Sequence, residues 1–299
     1  MSICSYLANL LTEVLPLIDD RARKQVLTMG VQTCKFDYPT IEKLFQRHSF
    51  SYNPVLPQQS ENTTGFFADG KTRSYIHQRT FFEMLGFSRE NIRAIDASSY
   101  EGAEIVHDLN QPIPDALVQQ FDLILDAGTI EHVFSVKDAI VAMAQMCTVG
   151  GIVIHNSPVD CINHGFVNFN WRFFNNFYLA NGFEFVMRKY VGIPRAETMA
   201  SKYYLEFEPD AYTDAPGPYY DTYLFSVFRK VKHVLPAVPQ QENFVNAWQS
   251  RPKQAHNGSE AWWGMRRGAV ALLEKSYLGS SMLHAFRTMK YARKTNLQG

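Results

Sequence analysis

The stretch that most limits what this chain can fold into is residues 121–132, FDLILDAGTIEH, answered by residues 148–158, TVGGIVIHNSP. Phe121, Leu123, Ile124 and Leu125 make an apolar run too short for a helix and bounded by turn formers. That is the pattern of a strand buried on both faces of a parallel sheet. The run ends at Asp126, where Ala127 and Gly128 let backbone and ligand come close. Val136, Ala139, Ile140, Met143 and Met146 then recur at helical spacing, Gly150 and Gly151 read as the stop, and residues 152–154 read as a second apolar strand. A strand–helix–strand unit of about thirty residues is the crossover from which parallel sheets are built. Ligands of such open sheets lie beyond the carboxyl ends of the strands. Asp126, Gly128, Glu131, His132, Asn156 and Ser157 fall at such ends, so a binding site is expected there.

The flanking sequence extends the pattern. Leu7, Leu10, Leu11, Val14, Leu15 and Ile18 share one helical face. Residues 24–30 read as a strand ending on glycine, and residues 38–45 as a helix. The turn between them is where nucleoside-binding folds carry several glycines, but here it offers only Gly30, followed by Val31 and Gln32. Residues 49–70, rich in Pro, Ser, Asn, Gln and Gly, read as a surface insertion. Lys71, Arg73, His77 and Arg79 follow, before a helix through Phe81, Phe82, Met84 and Leu85. They suit either a solvated helix face or a cationic lid over an anionic ligand. Residues 92–95 and 105–106 are two further short strands, ending at Asp96 and Asp108. Asp96 is placed to accept hydrogen bonds from both ribose hydroxyls of a nucleoside ligand. Singly, each of Asp96, Asp108 and Asp126 is a turn cap; three in register at one sheet edge favour a ligand.

Residues 171–180 form an aromatic helix that stops at Asn181 and Gly182. Residues 183–191 and 223–231 read as strands able to pair. Between them, residues 192–221 are dense in tyrosine (Tyr203, Tyr204, Tyr212, Tyr219, Tyr220), either as a packed flap or as a platform for sugars or planar groups. Pro236 and Pro239 mark a boundary. Beyond it, Trp262 and Trp263 precede a helix through Val270, Leu272, Leu273 and Leu283. Arg266, Arg267, Lys275, Arg287, Lys290, Arg293 and Lys294 surround the lone acid Glu274. Such a basic helix packs on its own domain or meets an anionic membrane surface or a protein partner.

Composition removes several classes. Lys+Arg and Asp+Glu number 29 each, so the whole-molecule field gives no reason to expect nucleic acid. Cys4, Cys34, Cys147 and Cys161 form no C-x-x-C pair and no metal-ligand spacing, so reduced thiols in a cytoplasmic protein are expected and a structural zinc site is not. No apolar run approaches the roughly twenty residues of a transmembrane helix, and the N-terminus lacks a signal-peptide pattern. The absence of G-x-S-x-G and of G-x-x-x-x-G-K-[ST] argues against a serine hydrolase and a P-loop NTPase.

In the order of these features the chain resembles the class I methyltransferases that use S-adenosylmethionine. The likeness is to the branch whose fourth strand reads as an apolar run, then Asp or Ser, then Glu-His, here FDLILDAGTIEHV. Thr148-Val149-Gly150-Gly151 matches the family's loop before its fifth strand, and residues 180–184, ANGFE, stand where the family leads into its sixth. The likeness covers about residues 24–231, with a degenerate first glycine loop, residues 28–32. It implies an α/β, Rossmann-like, doubly wound and mostly parallel sheet of about seven strands with an antiparallel last strand. The domain would span residues 1–234, with insertions at about 49–79 and 192–221, and a C-terminal helical extension would span residues 235–299. It also implies that Asp96 holds the ribose, Asp108 contacts the adenine amine, Asp126 and Gly128 line the methionine end, and Gly30 belongs to the cofactor loop.

Methyl transfer to a hydroxyl needs alignment and removal of a proton, and histidine is suited to the second task. His132, His155 and His164 are candidates, each with a structural alternative. His164 lies in the loop through which acceptors would enter, beside Asp160, which is placed to orient or replace it. No spacing of Asp, Glu and His imitates a metal site, so a metal-free mechanism is expected. The sequence thus leads to an S-adenosylmethionine-dependent methyltransferase acting on oxygen or nitrogen of a small molecule or sugar. The alternative is a methyltransferase-like fold serving as a non-catalytic binding or scaffolding module, and a nicotinamide-dependent oxidoreductase is a more distant third.

Overall fold

A computed structural model describes residues 2–54, 62–66, 72–194, 203–207, 220–240 and 292–296. Its frame is a sheet of nine strands. In chain order these are β2 (Val26–Met29), β6 (Ile92–Asp96), β7 (Ile105–Val106), β8 (Phe121–Asp126), β9 (Cys147–Pro158), β10 (Phe183–Pro194), β11 (Tyr203–Phe207), β12 (Tyr220–Lys230) and β13 (Ala292–Asn296). They lie side by side as β13-β11-β10-β12-β9-β8-β2-β6-β7. From β7 to β9 every pairing is parallel, while β12 runs antiparallel to both β9 and β10. The outcome is a mixed α/β fold with a central parallel-dominated sheet, consistent with a Rossmann-like fold. The expected antiparallel last strand of the core is β12.

The two faces follow from period-two alternation. Leu123, Leu125, Ile152, Ile154, Phe225 and Val227 join one core with α1 (Ser5–Val14), α2 (Tyr38–Arg47) and α3 (Gln78–Met84). Ile124, Val153, Leu224 and Phe228 turn to the other face, under α4 (Val136–Met146) and α5 (Trp171–Ala180). Side chains of successive strand residues point to opposite faces, so an all-apolar strand fills both layers at once. Four further strands, β1 (Ser2–Ile3), β3 (Thr33–Cys34), β4 (Asn62–Phe66) and β5 (Thr72–His77), form a small second sheet in the order β1-β3-β5-β4. The expected insertion at 49–79 therefore contributes a hairpin, β4–β5.

Three expectations shift. Helix α4 stops at Met146, and Gly150 and Gly151 lie inside β9. Gly150 takes a φ of +88°, and a Cβ at Gly151 would stand 2.8 Å from Cys147 Sγ, so the glycines serve an irregular strand entry and not a helix end. Second, among the described residues the sheet has nine strands where about seven are expected, because β11 and β13, from the tyrosine-rich insertion and the tail, extend its edge beyond β10. Third, the described part of the tail contains no helix: residues 231–240 are irregular and Ala292–Asn296 is a strand. The basic helix expected through Val270 and Leu283 lies outside the described residues.

Candidate active site

Because β6, β7, β8 and β9 are parallel to β2, their carboxyl ends share one edge. One row of paired residues crosses the sheet just inside that edge: Ile105, Ile95, Met29, Asp126 and His155. The chain turns outward from β2 on one side and from β8 on the other, so the point between them is where open sheets bind ligands.

The three aspartates share this edge but not one environment. Asp96 is half-buried, and its Oδ1 accepts from Ser98 N at 3.2 Å. Asp108 is exposed on the neighbouring tip, and the backbone and side chain of Asn110, donating to Oδ1, hold its carboxyl below the usual carboxylate range. The His107 N–H donates to Asp96 O at 2.8 Å and fixes the two tips together. Gly30, with φ +72°, donates its N–H to Ile95 O at 2.7 Å, so the first loop lies against Asp96.

Asp126 turns inward. It is fully buried; its Oδ2 lies 2.8 Å from His155 Nδ1, while its Oδ1 accepts from Thr129 N at 2.9 Å and Ile130 N at 3.3 Å. An Nδ1–H donated to the carboxylate leaves His155 Nε2 to accept from the Tyr178 hydroxyl at 2.7 Å. The imidazole also stacks on Phe174 at 4.3 Å. His155 is thus a core histidine, and Asp126 caps the turn Ile130–His132 in place of lining a cleft.

That turn presents the next pair of residues in opposite directions. Glu131 is fully buried and His132 is exposed. Across the opening, the loop after β9 brings His164 Nε2 to 3.3 Å from Glu131 Oε1 and packs its ring edge-on against His132, with centroids 4.9 Å apart. Phe166 N donates to Glu131 O at 2.7 Å, and the exposed rings of Phe134 and Phe166 meet at 5.6 Å. Two glycines make room for Glu131. A Cβ on Gly165 (φ +69°) would stand 2.7 Å from Glu131 O, and one on Gly128 (φ +88°) would stand 3.1 Å from Oε1. Burial, with the nearby charge of Asp126, raises the Glu131 carboxyl against the opposing effect of His164. The hydrogen bond to Glu131 raises His164, whereas burial and the His164 charge lower His132.

Asp160 does not orient His164. Its Oδ1 accepts from Thr222 N at 2.6 Å and its Oδ2 from Thr222 Oγ1 at 3.0 Å, which ties the loop to β12; the carboxylate that meets His164 is Glu131. Residues that no spacing along the chain connects come together here: ligand atoms of Glu131, His132 and His164 all lie within 4.8 Å of one another. The sequence marks Glu131 through its place after the strand end and through the Glu-His pair, and nothing in it connects that pair to His164.

The point between β2 and β8 is bridged by side chains. Thr129 Oγ1 donates to Met29 O. Buried Gln32 donates through Nε2 to Met29 O at 2.6 Å and through its backbone N–H to Gln78 Oε1 at 2.7 Å. Of the expected cationic lid, Arg79 is ion-paired with Glu104, and His77 accepts from Arg79 N to cap α3. Lys71 and the side chain of Arg73 lie outside the described residues. Tyr204 is fully buried, with its hydroxyl accepting from Asn9 Nδ2, so this member of the tyrosine-rich insertion is core. A cavity of about 520 Å³ lies between α4, α5 and residues 236–240, and none of the candidate site residues lines it.

Fold and edge together define a Rossmann-like α/β chain with an acidic, histidine-bearing carboxyl edge. No family model matches the sequence, and no curated protein matches it. Among solved structures, the branched-chain polyamine synthase of Thermus thermophilus, in complex with N4-aminopropylspermidine and 5'-methylthioadenosine, is similar over 80% of this chain and 58% of its own, at 13% identity and TM-score 0.38. This chain therefore spans little more than half the length of that enzyme. A putative methyltransferase from Bacillus halodurans matches over 74% of this chain and 99% of its own, at 8% identity and TM-score 0.38. The YcgJ protein of Bacillus subtilis matches over 75% and 99%, at 9% identity and TM-score 0.37. With likenesses this distant, what the chain does has to be read from its own residues. Among the described residues, no helix is long and apolar enough to cross a membrane.

Proposed function

We propose that the chain is an S-adenosylmethionine-dependent methyltransferase that transfers a methyl group to oxygen or nitrogen of a small molecule or sugar. The observation that supports this reading is the pair of acidic tips on β6 and β7. Asp96 ends β6 and Asp108 follows β7, the adjacent parallel strand; both stay open to solvent, and the positive-φ turn at Gly30 bonds to Ile95 beside Asp96. In this reading Asp96 accepts from the ribose hydroxyls and Asp108 from the adenine amine, with Gly30 and Gly128 flanking the methionine end. Asp126 contributes through the turn it caps.

The transfer itself is an in-line displacement. An acceptor lone pair forms the new bond to the methyl carbon as the carbon–sulfur bond breaks, and the bond's electron pair stays with sulfur as S-adenosylhomocysteine. Alignment of the two partners is worth about 7–11 kcal/mol of barrier. For a hydroxyl acceptor the proton passes to a base, worth on the order of 10²–10⁴-fold. His164 is the first candidate, since Glu131 orients its Nε2 and leaves Nδ1 to take the proton; His132 is the second. Asp160, tied to Thr222, anchors the loop that carries His164.

Calorimetry with S-adenosylmethionine, S-adenosylhomocysteine and NAD tests the proposal. Saturable binding of the first two, abolished by Asp96→Ala, supports it; binding of NAD alone overturns it. The second reading, a non-catalytic module of methyltransferase-like fold, is favoured by the side chains of Gln32, Gln78 and Thr129 that bridge the first loop. Silence with all three nucleotides in the wild type, with binding gained in Gln32→Gly, would establish it.

A further inference from the structure

We propose that Glu131, His132 and His164 form a binding site for a divalent first-row transition-metal ion of the zinc, cobalt or manganese type. Their ligand atoms lie within 4.8 Å of one another. One edge of that triangle, Glu131 Oε1 to His164 Nε2, is 3.3 Å. Two ligands each about 2.1 Å from a tetrahedral zinc stand about 3.4 Å apart, so this edge already has the spacing of a coordinated pair. His132, on an exposed side chain, has only to rotate inward.

A hydrogen bond between His164 and Glu131 accounts for one carboxylate oxygen and one imidazole. It leaves two things unexplained. Glu131 is fully buried, yet its Oε2 has no hydrogen-bond partner among the described residues, and no Lys or Arg there pairs with it. A buried carboxylate oxygen without a partner is costly, and buried charges are paired or coordinate metals. The second imidazole, His132, meets His164 by ring contact and, among the described residues, its ring has no hydrogen bond, an arrangement that gains little until both nitrogens face one cation.

The backbone is cut to fit the carboxylate. Gly128 and Gly165 both adopt positive φ, and a Cβ at either would press on Glu131, on its Oε1 in one case and on its backbone and Cγ in the other. Two imidazoles and one carboxylate make a borderline donor set. It suits zinc, cobalt, manganese or iron, whereas magnesium and calcium ask for oxygen ligands. Three protein ligands leave coordination positions open, and the exposed ring of His132 puts them within reach of solvent, beside Phe134 and Phe166. A hydroxyl taken up there would be acidified by the ion, an alternative to proton removal by His164. The site does not depend on methyl transfer, since ion binding is measured with neither cofactor nor acceptor present.

The test is a titration of the purified full chain with cobalt(II), read by the visible absorption of the bound ion, followed by displacement with zinc. One equivalent is expected to bind and to be displaced by zinc but not by magnesium. His132→Ala and His164→Ala should each weaken binding by more than the roughly tenfold that loss of even an outer partner costs, while His48→Ala, a surface control, leaves it unchanged. Glu131→Gln should abolish binding, and should that buried change prevent folding, the two histidine variants still decide. Absence of saturable binding, or equal affinity in wild type, His132→Ala and His164→Ala, would overturn the proposal.

Discussion

Asp126 and His155 stand opposite each other on β8 and β9, in register, joined at 2.8 Å with neither side chain exposed. The pair does two jobs. It carries the strand pairing through to Tyr178 on α5, and it leaves Asp126 Oδ1 free to receive the N–H groups of Thr129 and Ile130. The turn that aims Glu131 inward and His132 outward is therefore set by a core contact one strand away.

Replacing His155 by Phe keeps the ring stack with Phe174 but strands a buried carboxylate and the Tyr178 hydroxyl. Leaving a buried acceptor without its hydrogen-bond partner typically costs about 1–3 kcal/mol, more for a charged group, and His155→Phe is expected to lose at least about that much in urea denaturation. A loss below about 0.5 kcal/mol, the range of ordinary surface changes, would show that Asp126 has another partner.

Gly165→Ala brings a Cβ to 2.7 Å from Glu131 O and 2.9 Å from its Cγ, at a backbone φ of +69°. Strain of this kind costs on the order of 1–3 kcal/mol. The loops after β8 and β9 should separate, and protection of the Phe166 amide in hydrogen exchange should fall. Unchanged protection would mean that the loops are held elsewhere.

All four cysteines are buried and free. Burial pushes the Cys4 thiol up to about 11 and those of Cys147 and Cys161 up to about 12, and raises Cys34 well above the usual thiol range. At neutral pH a thiol reagent should label none of them until the chain is unfolded. Because the folded values are raised, stability is full below the unfolded thiol value of about 8.5. It is lost as pH climbs towards 11 and 12. Fast labelling in native buffer, or stability flat through this window, contradicts the burial.

His164→Ala removes the imidazole that Glu131 orients. Turnover with a hydroxyl acceptor should drop by at least about tenfold, a floor set below the 10²–10⁴-fold typical of general-base catalysis because His132 remains as a second base, with affinity for S-adenosylhomocysteine intact. Equal turnover in wild type and variant rules His164 out as the base.

The sheet was legible because its signals are local. The apolar runs at β8 and β9 are too short for helices and are bounded by turn formers, the pattern of strands buried on both faces, and the helical repeat from Val136 to Met146 marks the crossover between them. Asp96, Asp108 and Asp126 read alike, as acids ending apolar runs, because sequence reports a strand's end but not which way its last side chain turns. The difference comes from His155, whose imidazole draws Asp126 inward, while among the described residues Asp96 and Asp108 have local turn partners. The pairing of Glu131 with His164 was hidden for another reason. The two residues sit on separate loops, and it is the positive-φ backbone of Gly128 and Gly165 that lets those loops close. Similarly, Gly150 and Gly151 imitate a helix stop, and only the strand pairing with β8 shows where they lie.

The most direct measurement is a crystal soaked with S-adenosylhomocysteine. The account predicts a nucleoside at the carboxyl edge, with its ribose hydroxyls on Asp96, its adenine amine on Asp108 and its thioether end towards Gly30 and Gly128. Ligand seated in the cavity between α4 and α5, or no ligand at concentrations that saturate in calorimetry, would contradict it.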